Sequence, residues 1–499
     1  MNVEERALWE LQEDLAVGRT DSQSLVAQYL QRIDTLDRAG PMLRSVLELN
    51  PDAVQIAQEL DAERQQRAAR SPLHGIPVLI KDNIATLDRM QTTAGSLALV
   101  GAQAPQDAFV VQRLRRAGAV ILGKANMSEW SNGRSLQSCS GWSARGGLTR
   151  NPYVLDRSAS GSSSGCAVAV AASLCAAAVG TETDGSILSP ASVCGIVGLK
   201  PTVGLVSRRG IIPLSCSLDT PGPMARNVHD CALLLGAMTG RDPTDDAMPD
   251  GAAPAFSDYT SALDSQALRG ARLGVARQFF GFDEGTDPVY ANALAALAHA
   301  GAVLIDPVAL PDLAVLGAAK RTVLLYEMKA GVNAYLQALG PGARVRSLAD
   351  VIAFNQEHAE LEMPWFSQDI FLMSQDKGPL SDGEYLNALA TMRRIARTEG
   401  IETVLREHRL DALIAPTCGP AGASDLLLGD RVVGGSSSPS AAAGTPSITV
   451  PVGHVQGLPL GLSFMSAAWS ERRLLGLAYA FEQLTGIRQT PRYLPSLRP

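Results

Sequence analysis

Two groups of serines lie on either side of one small-residue segment, and their spacing suggests nucleophilic catalysis. Ser162 and Ser163 come before the Ala/Val-rich block of residues 166–179, and Ser186 follows it. Flexible linkers lack such an apolar middle, so this block is expected to pack as a helix or a strand inside a core. Such packing can bring two hydroxyls together where water is excluded. A serine hydroxyl is a weak nucleophile, however, and needs an adjacent base.

Lys81 is the candidate base. It closes an apolar strand predicted over residues 76–81, and open α/β sheets usually carry functional groups at the ends of such strands. Burial disfavours the charged form of lysine and lowers its pKa, so the neutral amine can accept a proton. The alternative is a structural lysine that reaches solvent or pairs with Asp82. Lysine is scarce, with six residues against thirty-seven arginines, which favours a specific role for a lysine on an apolar strand.

The elements that must position these groups alternate between strands and helices. Strands over residues 76–81 and 119–123 with a helix over 109–116 between them predict an α/β fold, with a large mixed, mainly parallel sheet covered by helices on both faces. The first seventy residues have helical periodicity. The predicted organisation is therefore an N-terminal helical segment, 1–70, packed on one domain, 71–499, with a surface loop near 240–256. Further strands are predicted over residues 272–277, 302–306, 412–416, 447–452 and 460–465, and further helices over 290–300 and 471–484.

Composition restricts the class of protein and its partners. The net charge of −7 gives no electrostatic footprint for nucleic acid. No apolar run reaches the roughly 20 residues of a membrane span, and the N-terminus lacks the features of a signal peptide. Seven cysteines without a C-x-x-C pair predict buried free thiols and a cytoplasmic location. The six histidines form no ligand pattern, so no metal or other cofactor is predicted.

Three motifs resemble those of the amidase signature family. They are GIPVLIKD at residues 75–82, SGSSSG at 160–165 and GTETDGS at 180–186, in the family's order and spacing. The similarity extends over most of residues 73–484. It implies the amidase signature fold and the hydrolysis of a linear carboxamide to an acid and ammonia through an acyl-enzyme, without a cofactor.

The resemblance also implies a role for each site residue. Ser186 corresponds to the nucleophile, Ser162 to the bridging serine and Lys81 to the terminal base of a proton relay. Thr181 corresponds to the hydroxyl that supports the serine pair, and Ser163 to the neighbour joined to Ser162 by a cis peptide bond. Backbone amides of the following loop would bind the tetrahedral oxyanion. These amides belong to Thr183, Asp184, Gly185 and Ser186.

Two positions depart from the family pattern. Asp184 replaces the first glycine of a usual Gly-Gly pair, and Leu188 stands where an arginine is common. The carboxylate of Asp184 is expected at the mouth of the pocket, where it could contact a substrate N–H. The variant motifs are most similar to those of bacterial peptide amidases, which remove the C-terminal amide of peptides, so a small-molecule or peptide amide is the expected substrate. Lys124 and Lys200 are expected to be structural.

Other hypotheses remain open from the sequence. The segment GSSSG also fits the nucleophile elbow of α/β-hydrolases, with Ser163 as nucleophile and His408 or His454 as its partner, although no apolar strand precedes it. The signature also occurs in the amide-hydrolysing subunit of tRNA-dependent amidotransferases, which works with partner subunits. The sequence is also compatible with a broad aryl or fatty amide hydrolase and with a catalytically silent binding protein. The oligomeric state is not predicted.

Overall fold

One eleven-stranded mixed sheet organises the fold in the computed structural model, which describes residues 2–248, 255–311, 313–340, 342–431 and 433–497. The strands are β1 (Val46–Leu49), β2 (Pro77–Lys81), β3 (Val120–Ala125), β4 (Trp142–Ser143), β5 (Gly147–Leu148), β6 (Ala177–Glu182), β7 (Val197–Lys200), β8 (Thr220–Ala225), β9 (Arg272–Ala276), β10 (Val303–Val308), β11 (Ala412–Pro416), β12 (Ser447–Val455) and β13 (Leu458–Met465). Strands β4 and β5 form a separate ribbon. The predicted large mixed sheet is confirmed.

The order of the strands in the main sheet is β1-β3-β2-β6-β8-β7-β12-β13-β11-β9-β10. Parallel pairing occurs in two blocks, β3-β2-β6 and β11-β9-β10, and the strands between these blocks pair antiparallel. Because β2 and β6 are parallel neighbours, their carboxyl ends lie at the same edge of the sheet. This arrangement brings the end of the strand that carries Lys81 beside the end of the strand that carries Thr181.

Helices pack around the sheet. In the described residues they are α1 (Leu8–Ala16), α2 (Ser22–Arg32), α3 (Ala53–Gln66), α4 (Phe109–Arg116), α5 (Ser164–Ala171), α6 (Leu188–Val193), α7 (Val228–Met238), α8 (Asp287–His299), α9 (Leu313–Ala338), α10 (Leu348–Glu357), α11 (Ala359–Glu362), α12 (Asp369–Gln375), α13 (Gly383–Arg393), α14 (Glu402–His408), α15 (Ser437–Ala443) and α16 (Glu471–Thr485). None of them is long and apolar enough to cross a lipid bilayer.

The small-residue block is both a helix and a strand. Helix α5 begins directly after the first serine group, and β6 returns the chain toward Ser186. Every residue of α5 and β6 is buried, because alanine, valine and glycine allow close approach of backbone to backbone. The block therefore fixes the distance between the two serine groups from within the core.

One segment differs from the sequence-based expectation. The N-terminal segment contains a strand, β1, because residues Val46–Leu49 complete an antiparallel edge against β3. Most described residues of the predicted surface loop are exposed or half-buried, and its two buried residues, Asp242 and Asp245, pair with Arg209 and Arg208. Its residues 249–254 lie outside the described part of the chain. One hydrophobic core joins side chains from before residue 70 to the central strands.

The prediction of buried free thiols is confirmed for six of the seven cysteines. All seven cysteines are free and six are buried, whereas Cys216 is exposed.

Candidate active site

Lys81 lies in the interior with its amine surrounded by oxygen atoms. Its Nζ contacts Ser162 Oγ at 2.7 Å, Thr181 Oγ1 at 2.9 Å and the carbonyl oxygen of Thr181 at 3.1 Å. Burial lowers the pKa of Lys81 to about 7, and the opposing influence of Cys166 and Asp219 does not cancel it. A neutral amine has one lone pair, so Ser162 can donate its proton along the 2.7 Å contact. The geometry is that of a general base and its first proton donor.

Ser162 is fully buried at the end of a tightly packed turn. A side chain at Gly161 would bring its Cβ within 2.2 Å of Ser128 Oγ, so only glycine fits there. A cis peptide bond joins Gly161 to Ser162. The prediction of a cis bond between Ser162 and Ser163 is therefore wrong by one residue: the bond lies on the glycine side, where no side chain has to be accommodated.

Ser163 supports the site through hydrogen bonds and is not free to attack a substrate. Its Oγ donates to the Thr181 carbonyl oxygen at 3.0 Å and accepts from the Thr181 amide at 3.3 Å. Its own amide donates to the Ser186 carbonyl oxygen at 3.1 Å. No strand precedes it, and neither His408 nor His454 bonds to it within the described ranges, so the nucleophile-elbow hypothesis is wrong.

Ser186 belongs to the nucleophile loop, which we define as residues 183–187 between β6 and α6. Its relative exposure is 7%, whereas Ser162 has none, so Ser186 is the more accessible of the two serines. The buried carboxylate of Glu182 accepts from the amides of Gly185 and Ile187 at 2.8 Å and of Leu188 at 3.0 Å. Gly185 was predicted as an oxyanion donor, but its amide already bonds to Glu182. The oxyanion candidates are thereby reduced to the amides of Thr183, Asp184 and Ser186.

Asp184 is bound from two helices. Its carboxylate pairs with Lys320 of α9 and accepts from the hydroxyls of Ser437 and Ser438, each at 2.6 Å. Burial alone would raise the pKa of Asp184, but Lys320 and the two hydroxyls hold it below its ordinary value. The carboxylate is therefore ionised, and it lies on the wall of a cavity, as the sequence suggested.

Two cavities lie beside residues that neighbour Lys81, Ser162 and Ser186. The first, of about 250 Å³, reaches the supporting side of the relay and is lined by residues that include Asn83, Ser131, Thr181, Thr183 and Asp219. The second, of about 340 Å³, reaches the nucleophile loop and is lined by residues that include Asn132, Gly161, Asp184, Arg431 and Ser438. Of these two cavities, only the second has lining residues from the segment 326–434.

Several residues of the site could not be recognised from the motifs. Asn83 donates to Thr181 Oγ1 at 3.0 Å and so orients the hydroxyl that Lys81 contacts. Glu182 and Lys320 hold the nucleophile loop. The scarcity of lysine was the one available signal for Lys320. The other two buried lysines make no contact with the relay: Lys124 donates to the Ile84 carbonyl oxygen and to Thr92, and Lys200 donates to the Pro201 carbonyl oxygen.

Comparison with known families decides the class of this site. The protein-family profile described as Amidase matches residues 24–475. The chain belongs to the amidase family. The resemblance to amidase signature enzymes is thus confirmed, and the protein is an amide hydrolase.

Members of the amidase family resemble this chain over nearly its whole length. The crystal structure of native peptide amidase from Stenotrophomonas maltophilia superposes with a TM-score of 0.93 at 50% identity, covering 98% of this chain and 99% of that one. A probable amidase from Arabidopsis thaliana is 42% identical, covering 97% of this chain and 91% of its own. A glutamyl-tRNA(Gln) amidotransferase subunit from Moorella thermoacetica is 36% identical, covering 95% of this chain and 96% of its own.

Proposed function

We propose that this amidase hydrolyses the C-terminal carboxamide of peptides through a relay of Ser186, Ser162 and Lys81. The observation that carries the relay is the 2.7 Å contact between Lys81 Nζ and Ser162 Oγ in a buried site. The similarity to the peptide amidase from Stenotrophomonas maltophilia supports the substrate class.

The first half of the reaction forms an acyl-enzyme. Ser186 Oγ attacks the carboxamide carbon while its proton passes to Ser162 Oγ, whose own proton passes to Lys81 Nζ. The carbonyl π electrons move to the oxygen, and the amides of Thr183, Asp184 and Ser186 stabilise that oxyanion. The carbon–nitrogen bond then breaks, and ammonia leaves with a proton returned from Lys81 through Ser162.

The second half repeats the relay with water. Water attacks the ester carbon, gives its proton through Ser162 to Lys81, and forms a second tetrahedral intermediate. Collapse returns a proton to Ser186 Oγ and releases the peptide acid. Each step uses groups of this chain and water, so the reaction as written needs no cofactor and no partner protein.

The second cavity is the candidate acyl site. Ammonia needs almost no room, whereas a peptide needs an open cavity beside the nucleophile loop. Both cavities touch this loop, the first at Thr183 and the second at Asp184, and the second is the larger at about 340 Å³. Its lining includes hydroxyl, amide and guanidinium groups, among them those of Ser160, Asn132 and Arg431, and such groups can bond to the peptide main chain. The first cavity also touches Thr181 and Asn83, the residues that support Lys81.

Ammonia release by the purified chain tests this function. Peptide amides, fatty amides, aryl amides and glutamine are each offered without ATP or partner proteins. We expect peptide amides to give the highest kcat/KM, and Ser186→Ala to abolish turnover. Ser192→Ala, which removes another buried serine hydroxyl close by in the sequence, is the matched control and should retain activity.

The similarity to the amidotransferase subunit from Moorella thermoacetica makes glutamine hydrolysis the second candidate function. Turnover of glutamine that appears only with added partner proteins would replace the peptide proposal with this one. Preference for fatty or aryl amides would preserve the relay and reject the peptide substrate.

A further inference from the structure

Helix α9 reaches the nucleophile loop through the side chain of Lys320. Lys320 pairs with the Asp184 carboxylate and donates to Ser438 Oγ at 2.7 Å. Ser437 and Ser438, in the first turn of α15, bond to the same carboxylate. One side chain of the loop is therefore fixed by two helices that are distant in the sequence.

The ion pair is largely removed from solvent. The side chains of Lys320 and Asp184 are 18% and 20% exposed, so their attraction is screened less than that of a surface pair. A carboxylate has about four acceptor sites, and the bonds from Lys320, Ser437 and Ser438 occupy most of them. The arrangement leaves the Asp184 side chain little freedom to turn toward a substrate.

The loop is held at a second point as well. Glu182 accepts from the amides of Gly185, Ile187 and Leu188, whereas Lys320 of α9 holds Asp184. Two of the oxyanion candidates are the amide of Asp184 itself and that of Ser186, whose chain neighbours Gly185 and Ile187 both bond to Glu182. A displacement of about 1 Å in a reacting geometry can reduce a rate on the order of a hundredfold.

We propose that Lys320 is a positioning residue, which holds Asp184 so that the amides of the nucleophile loop face the developing oxyanion. This inference rests on the proposed role of Ser186 as nucleophile. It also explains why Asp184 replaces the first glycine of the family's Gly-Gly pair. The carboxylate of Asp184 allows an ion pair with α9, which a glycine at this position could not form.

Lys320→Met tests the proposal. We expect kcat to fall by about 10- to 100-fold with KM changed by no more than about twofold, because the lost contact matters most in the transition state. Lys320→Arg keeps the charge and should retain most of the activity. Lys329→Met is the matched control: Lys329 lies on the same helix and bonds to the carbonyl oxygens of Gln375 and Lys377, away from the loop, so its variant should keep the wild-type kcat.

Two further measurements separate positioning from general loss of structure. The rise of kcat/KM with pH, which we assign to deprotonation of Lys81, should occur at the same pH in Lys320→Met as in the wild type, because Lys320 does not contact the relay. Asp184→Asn should lower kcat to a similar degree, and the double variant Asp184→Asn/Lys320→Met should lose no more than the worse single variant, since both changes break one contact.

The rate at which a fluorophosphonate labels Ser186 distinguishes failure of this inference from failure of the proposed function. Labelling of the wild-type chain elsewhere, or nowhere, would reject Ser186 as the nucleophile. Normal labelling of the wild type with an equal rate in Lys320→Met would overturn only the positioning role. A rise in KM with unchanged kcat would also overturn it and assign the ion pair to substrate binding.

Discussion

The rate of amide hydrolysis should rise with pH through the neutral region, because Lys81 must be neutral to accept a proton from Ser162. Burial lowers its pKa to about 7. One pH unit below that value roughly a tenth of the molecules carry the neutral amine, and one unit above it roughly nine-tenths do. Between about pH 6 and pH 8, kcat/KM should therefore increase about tenfold and then level off.

A lysine with the ordinary pKa of 10.5 would give a different profile. It would remain protonated over the whole neutral range, and the rate would continue to rise about tenfold per unit up to about pH 10. The assay is kcat/KM for a peptide amide in buffers of constant ionic strength. Lys81→Arg keeps a positive charge at every pH and should be inactive throughout, whereas Lys329→Arg should follow the wild-type curve. A rise of kcat/KM that levels off only near pH 10, or a kcat/KM that does not change with pH, would refute Lys81 as the base.

Three further predictions concern the groups around that base. In the ammonia assay, Ser162→Ala should lower kcat by at least about 10³-fold because it interrupts the relay. Ser163→Ala should lower kcat by about tenfold, because it removes only the supporting bonds to Thr181. Glu182→Gln should reduce the free energy of unfolding by about 1–3 kcal/mol in a urea titration, since one carboxamide oxygen cannot replace a carboxylate that accepts three amides; an unchanged midpoint would reject that role. The folded-state pKa of Lys81 lies below its unfolded value. Between about pH 7 and pH 10 the unfolded chain therefore binds more protons than the folded chain, and the free energy of unfolding of the wild type should increase with pH. The same increase in Lys81→Met would contradict the lowered pKa.

The burial of Lys81 beside Ser162 was predictable from the sequence because local patterns determine it. An apolar strand ending in Lys81 and a small-residue block between two serine groups specify which groups are buried together. Parallel pairing of β2 with β6 then brings Lys81 to Ser162 and Thr181. The structure also shows that Ser163 is committed to Thr181, which the pattern of serines alone did not establish.

The rest of the site depends on contacts between distant segments. Lys320 and Asp184 are 136 residues apart, and no periodicity of α9 indicates which loop its lysine meets. The family resemblance assigned the Gly185 amide to the oxyanion. Its hydrogen bond to the Glu182 side chain becomes visible only in three dimensions. Strand β1 was missed for a similar reason, since an edge strand of four half-buried residues is determined by its partner β3.

The most direct test of the relay is the location of the covalent bond that a fluorophosphonate forms with this enzyme. The inactivated protein is digested and the modified peptide is sequenced by mass spectrometry. We expect a single adduct on Ser186, formed more slowly as Lys81 becomes protonated and absent in Ser186→Ala. An adduct on Ser163 or Ser162, or full inactivation of Ser186→Ala by the probe, would contradict the assignment of Ser186 as the nucleophile.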